Sequence, residues 1–267
     1  MHLSRIAHLL HGQGNAAMHR LRSLFQSKRP PAQDEPRPAH LDPRDQEIIE
    51  RCTPHTLTSV PRVQALLDAV GYCVNRDVPG AFVECGVWRG GSVLAMIFKL
   101  QDLGAMDRDI YLYDTFEGMT EPSERDTSRY SPAALRTWEE DAGTRKRAWS
   151  HLFSAEIFNE SIVRDLLLST GYPESRIHFV KGPVEQTLPS RAPAELSLLR
   201  LDTDWYDSTR HELVHLYPRL SVGGVLIIDD YGHWEGCRQA VDEYFSEAAA
   251  PVLLNRIDYT GRIGVKL

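Results

Sequence analysis

The chain has 267 residues, 42% hydrophobic and 25% charged, an ordinary balance for a globular protein and long enough for one large α/β domain with additions. A net charge of −7 speaks against a nucleic-acid binder, which needs a basic face, and no apolar run approaches the length that spans a bilayer. Four cysteines, Cys52, Cys73, Cys85 and Cys237, make no Cys-x-x-Cys pair and no metal-ligand spacing with histidine; with no secretory cleavage pattern at the start, they read as reduced thiols of a cytoplasmic protein.

Residues 1–26 carry arginines, no acid, and leucines at roughly helical spacing. That pattern suits a basic amphipathic helix for a partner or membrane surface, or a terminal extension packed on a neighbouring subunit. A proline- and charge-rich linker follows over 27–38, so 1–41 is read as extension and linker and 42–267 as the folded domain.

Val63, Leu66, Leu67, Val70 and Val74 mark an amphipathic helix, and Pro79-Gly80 separates it from a first strand at 81–83. Ser92 caps a helix carrying Val93, Met96, Ile97 and Leu100, and residues 109–113 form a second strand. The polar stretch at about 117–150 has little periodicity; a loop of that size is usually a lid or binding insertion. A helix at 154–169 leads to a third strand at 176–180. A fourth strand ends at Leu201, and its helix shows Leu213, Leu216, Tyr217 and Leu220. Gly223-Gly224 opens a fifth strand, followed by a helix with Cys237, Ala240, Val241, Tyr244 and Phe245. Runs at 252–256 and 262–266 suit an antiparallel hairpin. The alternation predicts an α/β fold with a doubly wound, mostly parallel sheet, helices on both faces, and a C-terminal antiparallel hairpin.

The loop after the first strand reads Glu84-Cys85-Gly86-Val87-Trp88-Arg89-Gly90-Gly91-Ser92. It lacks the Gly-x-Gly-x-x-Gly dinucleotide fingerprint, which speaks against a nicotinamide-dependent dehydrogenase. An acid opening the loop would repel a pyrophosphate and suits a cationic amino-acid group. Asp114 ends the second strand near the offset at which an acid grips ribose hydroxyls. A ligand with a ribose, positive charge and no phosphate is S-adenosylmethionine; a structural turn is the plainer alternative.

Two acidic clusters, Asp202-Thr203-Asp204 and Asp229-Asp230, directly follow the fourth and fifth apolar runs. On neighbouring parallel strands about 5 Å apart they would converge at the ligand-binding edge of the sheet, where unpaired carboxylates repel and require a cation. Helix capping by Asp204 or Asp207 is the competing use.

These blocks, together with Asp114-Thr115-Phe116-Glu117-Gly118-Met119, Gly171-Tyr172-Pro173, Lys181-Gly182-Pro183-Val184 and Asp229-Asp230-Tyr231-Gly232-His233-Trp234, resemble the macrocin O-methyltransferase family from about residue 58 to residue 245, leaving the N-terminal forty outside. The resemblance implies a class I methyltransferase fold acting on a sugar or polyol hydroxyl of a natural product or glycan, with S-adenosylmethionine and Mg2+. By matching motifs, Asp202, Asp229 and Asp230 hold the metal and Asp204 is the general base. Ser59, Glu84, Gly86, Gly90, Ser92, Asp114, Thr115, Phe116 and Val184 line the cofactor site. All-oxygen ligands favour magnesium, manganese or calcium over zinc. Trp205 and Tyr206 are candidates for stacking on substrate, and His233 for proton transfer, with packing or capping as the simpler roles. Trp88 is expected to pack on the lid. The expected partner is a small-molecule glycoside or polyol, with no nucleic acid, no membrane, and a homo-oligomer. A cephalosporin-hydroxylase-like member of the same fold is the rival enzyme.

Overall fold

A computed structural model describes residues 41–142, 147–248 and 252–267; the expected basic helix and linker of residues 1–40 lie outside the described residues. The sheet has seven strands in the order β3-β2-β1-β4-β5-β7-β6. These are β1 (Ala81–Cys85), β2 (Ile110–Asp114), β3 (Ile177–Lys181), β4 (Leu196–Leu201), β5 (Leu220–Ile228), β6 (Asn255–Arg256) and β7 (Arg262–Val265). The first five run parallel, and β7 closes on β5 antiparallel. The order reverses between β1 and β4, so the crevice for a ligand lies outside the carboxyl ends of those two strands.

Every residue of β1 and β4 is buried, as expected for central parallel strands covered on both faces. Side chains alternate between two cores. Phe82, Leu198, Val225 and Ile227 face α1 (Pro43–Cys52), α2 (Val60–Asn75) and α3 (Gly91–Asp102). Val83, Leu199, Leu226 and Ile228 face α8 (Tyr206–Leu216) and α9 (Glu235–Glu247). Each such aliphatic side chain contributes about 1.5–3 kcal/mol by burial. No helix among the described residues is long and apolar enough to cross a membrane, and the four cysteines are unpaired and buried.

Several boundaries shift from expectation. The lid contains two helices, α4 (Ala134–Ala142) and α5 (Ser150–Phe153). The next helix, α6 (Glu160–Leu168), starts six residues late, because the Asn159 side chain caps it by accepting the Ile162 amide at 3.0 Å. Pro218 sits in a 3-10 turn after α8, so Leu220 opens β5 instead of extending the helix. A one-turn helix, α7 (Val184–Thr187), follows β3. The first strand runs on to Cys85, which takes Glu84 out of the loop and into the core.

Candidate active site

Strand register builds the acidic end. Glu84 lies beside Arg200, and Leu201 pairs with Ile228. The Asp202 amide donates to the Cys85 carbonyl at 2.8 Å and the Asp229 amide to the Leu201 carbonyl at 2.9 Å, so both acids emerge at one level of the sheet. One oxygen from each of Asp202, Asp229 and Asp230 lies within 4.8 Å of the others, and Asp230 Oδ2 is buried with no hydrogen-bond partner. A set of three converging carboxylates, one oxygen unpaired, fits a divalent cation that prefers oxygen ligands.

Two arginines that sequence reading missed hold this cluster together. Arg200, on the α2 face of β4 and 1% exposed, donates to Glu84 at 2.5 Å, Asp202 at 2.7 Å, Asp229 at 2.5 Å and Thr58 Oγ1 at 2.9 Å. Arg62, from the first turn of α2, bonds the other oxygen of Asp229 and, through Nε, Asp258 at 3.1 Å. Asp258 also accepts from Ser59 Oγ and from the amides of Thr260 and Gly261, tying the hairpin to the start of α2. The available signal was a lone arginine inside the apolar run 196–201, which a buried strand tolerates only with acidic partners.

Burial, reinforced by the neighbouring acids and opposed by Arg200, lifts Glu84 to about 8 and Asp202 to about 7. Burial and the Asp202 charge lift Asp204 to about 8, and Asp230 is pushed well up by burial and by Asp204. Asp204 stands beside the trio in a left-handed conformation (φ 68°), its Oδ1 accepting from Trp234 Nε1 at 2.7 Å. Beneath that loop Thr203 Oγ1 donates to the buried Glu212 at 3.0 Å.

The glycine-loop end is arranged differently. Asp114 accepts the amides of Val87 (2.7 Å), Trp88 (3.0 Å) and Phe116 (2.6 Å), so its carboxylate pins the first loop to the second. The Gly86 amide reaches the Tyr113 carbonyl, and with φ 82° the loop passes so close to the acidic end that a Cβ there would meet the Asp202 carbonyl oxygen at 1.9 Å. Gly90 (φ 81°) caps α3 and faces Val163; Ser92 is buried behind it. Phe116 and Val184 point into the two cores, leaving their backbones nearer the edge. Thr115, Met119, Trp138, Lys181 and Pro183 line a cavity of about 430 Å3 at the carboxyl ends of β2 and β3. Thr120 also lines it, and its carbonyl accepts from Trp205 Nε1 at 3.1 Å, which links the cavity to the acidic end. Trp88 Nε1 donates to the Leu152 carbonyl of α5, at the end of the lid.

Trp205, expected at the substrate, touches Trp149 of the lid (5.8 Å between ring centroids) and Trp234 (5.0 Å), and His233, expected in proton transfer, stacks on Tyr130 at 5.8 Å. Tyr206 turns away: its hydroxyl bonds Glu243 on α9 at 2.5 Å, and Arg125 lies over its ring. As the first residue of α8 it is carried to that helix's outer side, a direction its sequence position does not reveal. The lid is anchored by Asp126, which accepts the Tyr206 amide at 2.8 Å.

The family profile for macrocin-O-methyltransferase (TylF) matches residues 11–263. The match therefore reaches well before residue 58, into the N-terminal forty, and past residue 245. The chain is 35% identical over 211 residues to an 8-demethyl-8-(2,3-dimethoxy-alpha-L-rhamnosyl)-tetracenomycin-C 4'-O-methyltransferase of Streptomyces olivaceus, covering 78% of this chain and 74% of that one. It is 33% identical over 190 residues to a demethyldecarbamoylnovobiocin O-methyltransferase of Streptomyces niveus, covering 71% and 67%. Among solved structures, the O-methyltransferase NovP superposes with a TM-score of 0.67 at 32% identity, over 79% of this chain and 82% of that one.

Proposed function

The chain belongs to the macrocin-O-methyltransferase family and is an S-adenosylmethionine-dependent O-methyltransferase, and from that premise we propose that it methylates a sugar hydroxyl of a natural-product glycoside with the help of a magnesium ion. The observation that carries the proposal is the meeting of Asp202, Asp229 and Asp230 from two strand ends, with one oxygen of Asp230 unpaired. Those three would hold the ion. When bound, magnesium supplies charge that lowers the pKa of an acceptor hydroxyl and orients it, and S-adenosylmethionine supplies a methyl whose bond to sulfur breaks as its bond to oxygen forms.

The chain's own residues account for the rest. Asp204, next to the trio but outside it, accepts the acceptor's hydroxyl proton in its ionised form, which the charge of a bound magnesium would favour. The glycine loop at 86–91 and the cavity beyond Thr115 receive the methionyl and nucleoside ends of the donor, and Asp114 keeps the two loops in register. Trp205, Trp149 and the lid shield the acceptor from water and hold it in line, which methyl transfer demands. One relative is named for a rhamnosyl-tetracenomycin acceptor, which supports the acceptor class.

The test is transfer of labelled methyl from S-adenosylmethionine to a panel of antibiotic glycosides. EDTA should abolish transfer and magnesium restore it; turnover undiminished in chelator would remove the metal from the proposal.

A further inference from the structure

Four aspartates crowd this edge, yet only three converge. The fourth, Asp204, lies against Asp230 outside that trio and differs from it in two features. Its left-handed backbone lifts it out of the strand direction, inside a tight turn closed by the Trp205 amide on the Thr203 carbonyl at 2.8 Å. Its Oδ1 is held by Trp234 Nε1 at 2.7 Å. No guanidinium among the described residues hydrogen-bonds Asp204, whereas Asp202 and Asp229 are each gripped by arginine.

Trp234 is itself rigidly placed. Its ring lies against Trp205 at 5.0 Å and His233 at 4.9 Å, and its amide donates to the Asp230 carbonyl at 3.0 Å, just before α9 begins. The indole is thus fixed to the same turn that carries two of the metal-site acids.

We propose that Trp234 is the positioning residue of the proton-accepting group. Its N–H occupies Oδ1 of Asp204 and so fixes the direction in which the carboxylate, lying against Asp230, presents itself to the hydroxyl proton. The proposal rests on Asp204 being the base. Trp234 touches no reacting atom; it acts through Asp204.

Trp234→Phe keeps the ring and removes the N–H. Loss of one hydrogen bond to a charged group should lower kcat by about 10- to 100-fold. KM for donor and acceptor, and calorimetric affinity for S-adenosylhomocysteine, should stay within about twofold. A double-mutant cycle with Asp204→Asn separates the possibilities. If Trp234 works through Asp204, the double variant is no slower than Asp204→Asn alone. A further loss in the Asp204→Asn background, or a rise in KM with kcat preserved, overturns the proposal. Full activity of Asp204→Asn by itself overturns the base assignment beneath it. Should Trp234→Phe not bind S-adenosylhomocysteine, Trp234→His, which retains a ring N–H, replaces it. Its kcat should stay within about threefold of the wild-type value, and a loss as deep as that of Asp204→Asn overturns the proposal.

Discussion

At the β4–β5 edge, Asp229 is gripped by two guanidiniums, whereas at the β1–β2 edge Asp114 is gripped by three backbone amides. Asp229 is buried and Asp114 half-buried near a ligand crevice, but they are stabilised for different purposes. Amides are neutral and immobile, so Asp114 fixes the shape of two loops and offers little spare charge. Arginines bring whole charges, so Arg62 and Arg200 partly offset an acidic cluster without neutralising it. What remains is an excess of carboxyl groups over cations that a divalent ion can complete. Gly86 couples the two ends, since its bare Cα allows the first loop to pass against Asp202.

The largest test of this contrast is Arg200→Met. It would strand Glu84, Asp202 and Asp229 with one charge partner fewer, and breaking such a buried set should cost about 3–5 kcal/mol in denaturant unfolding. A variant as stable as the parent would mean the three acids do not depend on that charge. Asp114→Asn should cost less, about 1–3 kcal/mol, because one oxygen survives to accept amides and no ion pair is broken. A larger loss than that of Arg200→Met would reverse the comparison.

Burial raises Asp114 as well, but the acidic end carries more such groups and should respond to pH the more strongly. Glu84, Asp202 and Asp204 keep their protons in the folded state up to about 8, 7 and 8. In the unfolded chain they release them in the ordinary carboxylate range near 4. Between these limits the folded state binds more protons, so stability of the metal-free protein is highest at low pH and falls as pH rises through 7–8. Each kcal/mol lost should lower the thermal midpoint by roughly 2–4 °C. Magnesium, binding only the folded state, should recover most of the loss at pH 8. A midpoint in EDTA that is flat from pH 5 to pH 8 would argue that the acids are charged throughout. The smallest effect belongs to Tyr206→Phe: with its hydroxyl on Glu243, away from the cluster, acceptor KM should change by less than about twofold. A tenfold rise would return Tyr206 to the substrate site.

Particular residues show how far local pattern carried. The positions of Asp202, Asp229 and Asp230 at strand ends were legible because the two acidic clusters follow directly on short apolar runs that read as buried strands. Glu84 was misplaced into a loop because nothing local marks where β1 stops; pairing with β2 and β4 extends the strand to Cys85. The lid's α4 and α5 carry too few apolar residues for a clear period, and they take shape against the domain. Arg62 and Asp258 lie 196 positions apart and meet only because the C-terminal hairpin folds back over α2.

The amino-acid order alone settled the alternation of strands and helices, the two acidic clusters and the family they resemble, because periodicity and motif spacing are local properties of a chain. Tertiary structure decided which strands are neighbours, which acids receive an arginine, which receive amides, and which way Tyr206 and Trp234 face. Those depend on register between segments far apart in sequence, and a shift of one residue would send each side chain to the opposite face of the sheet.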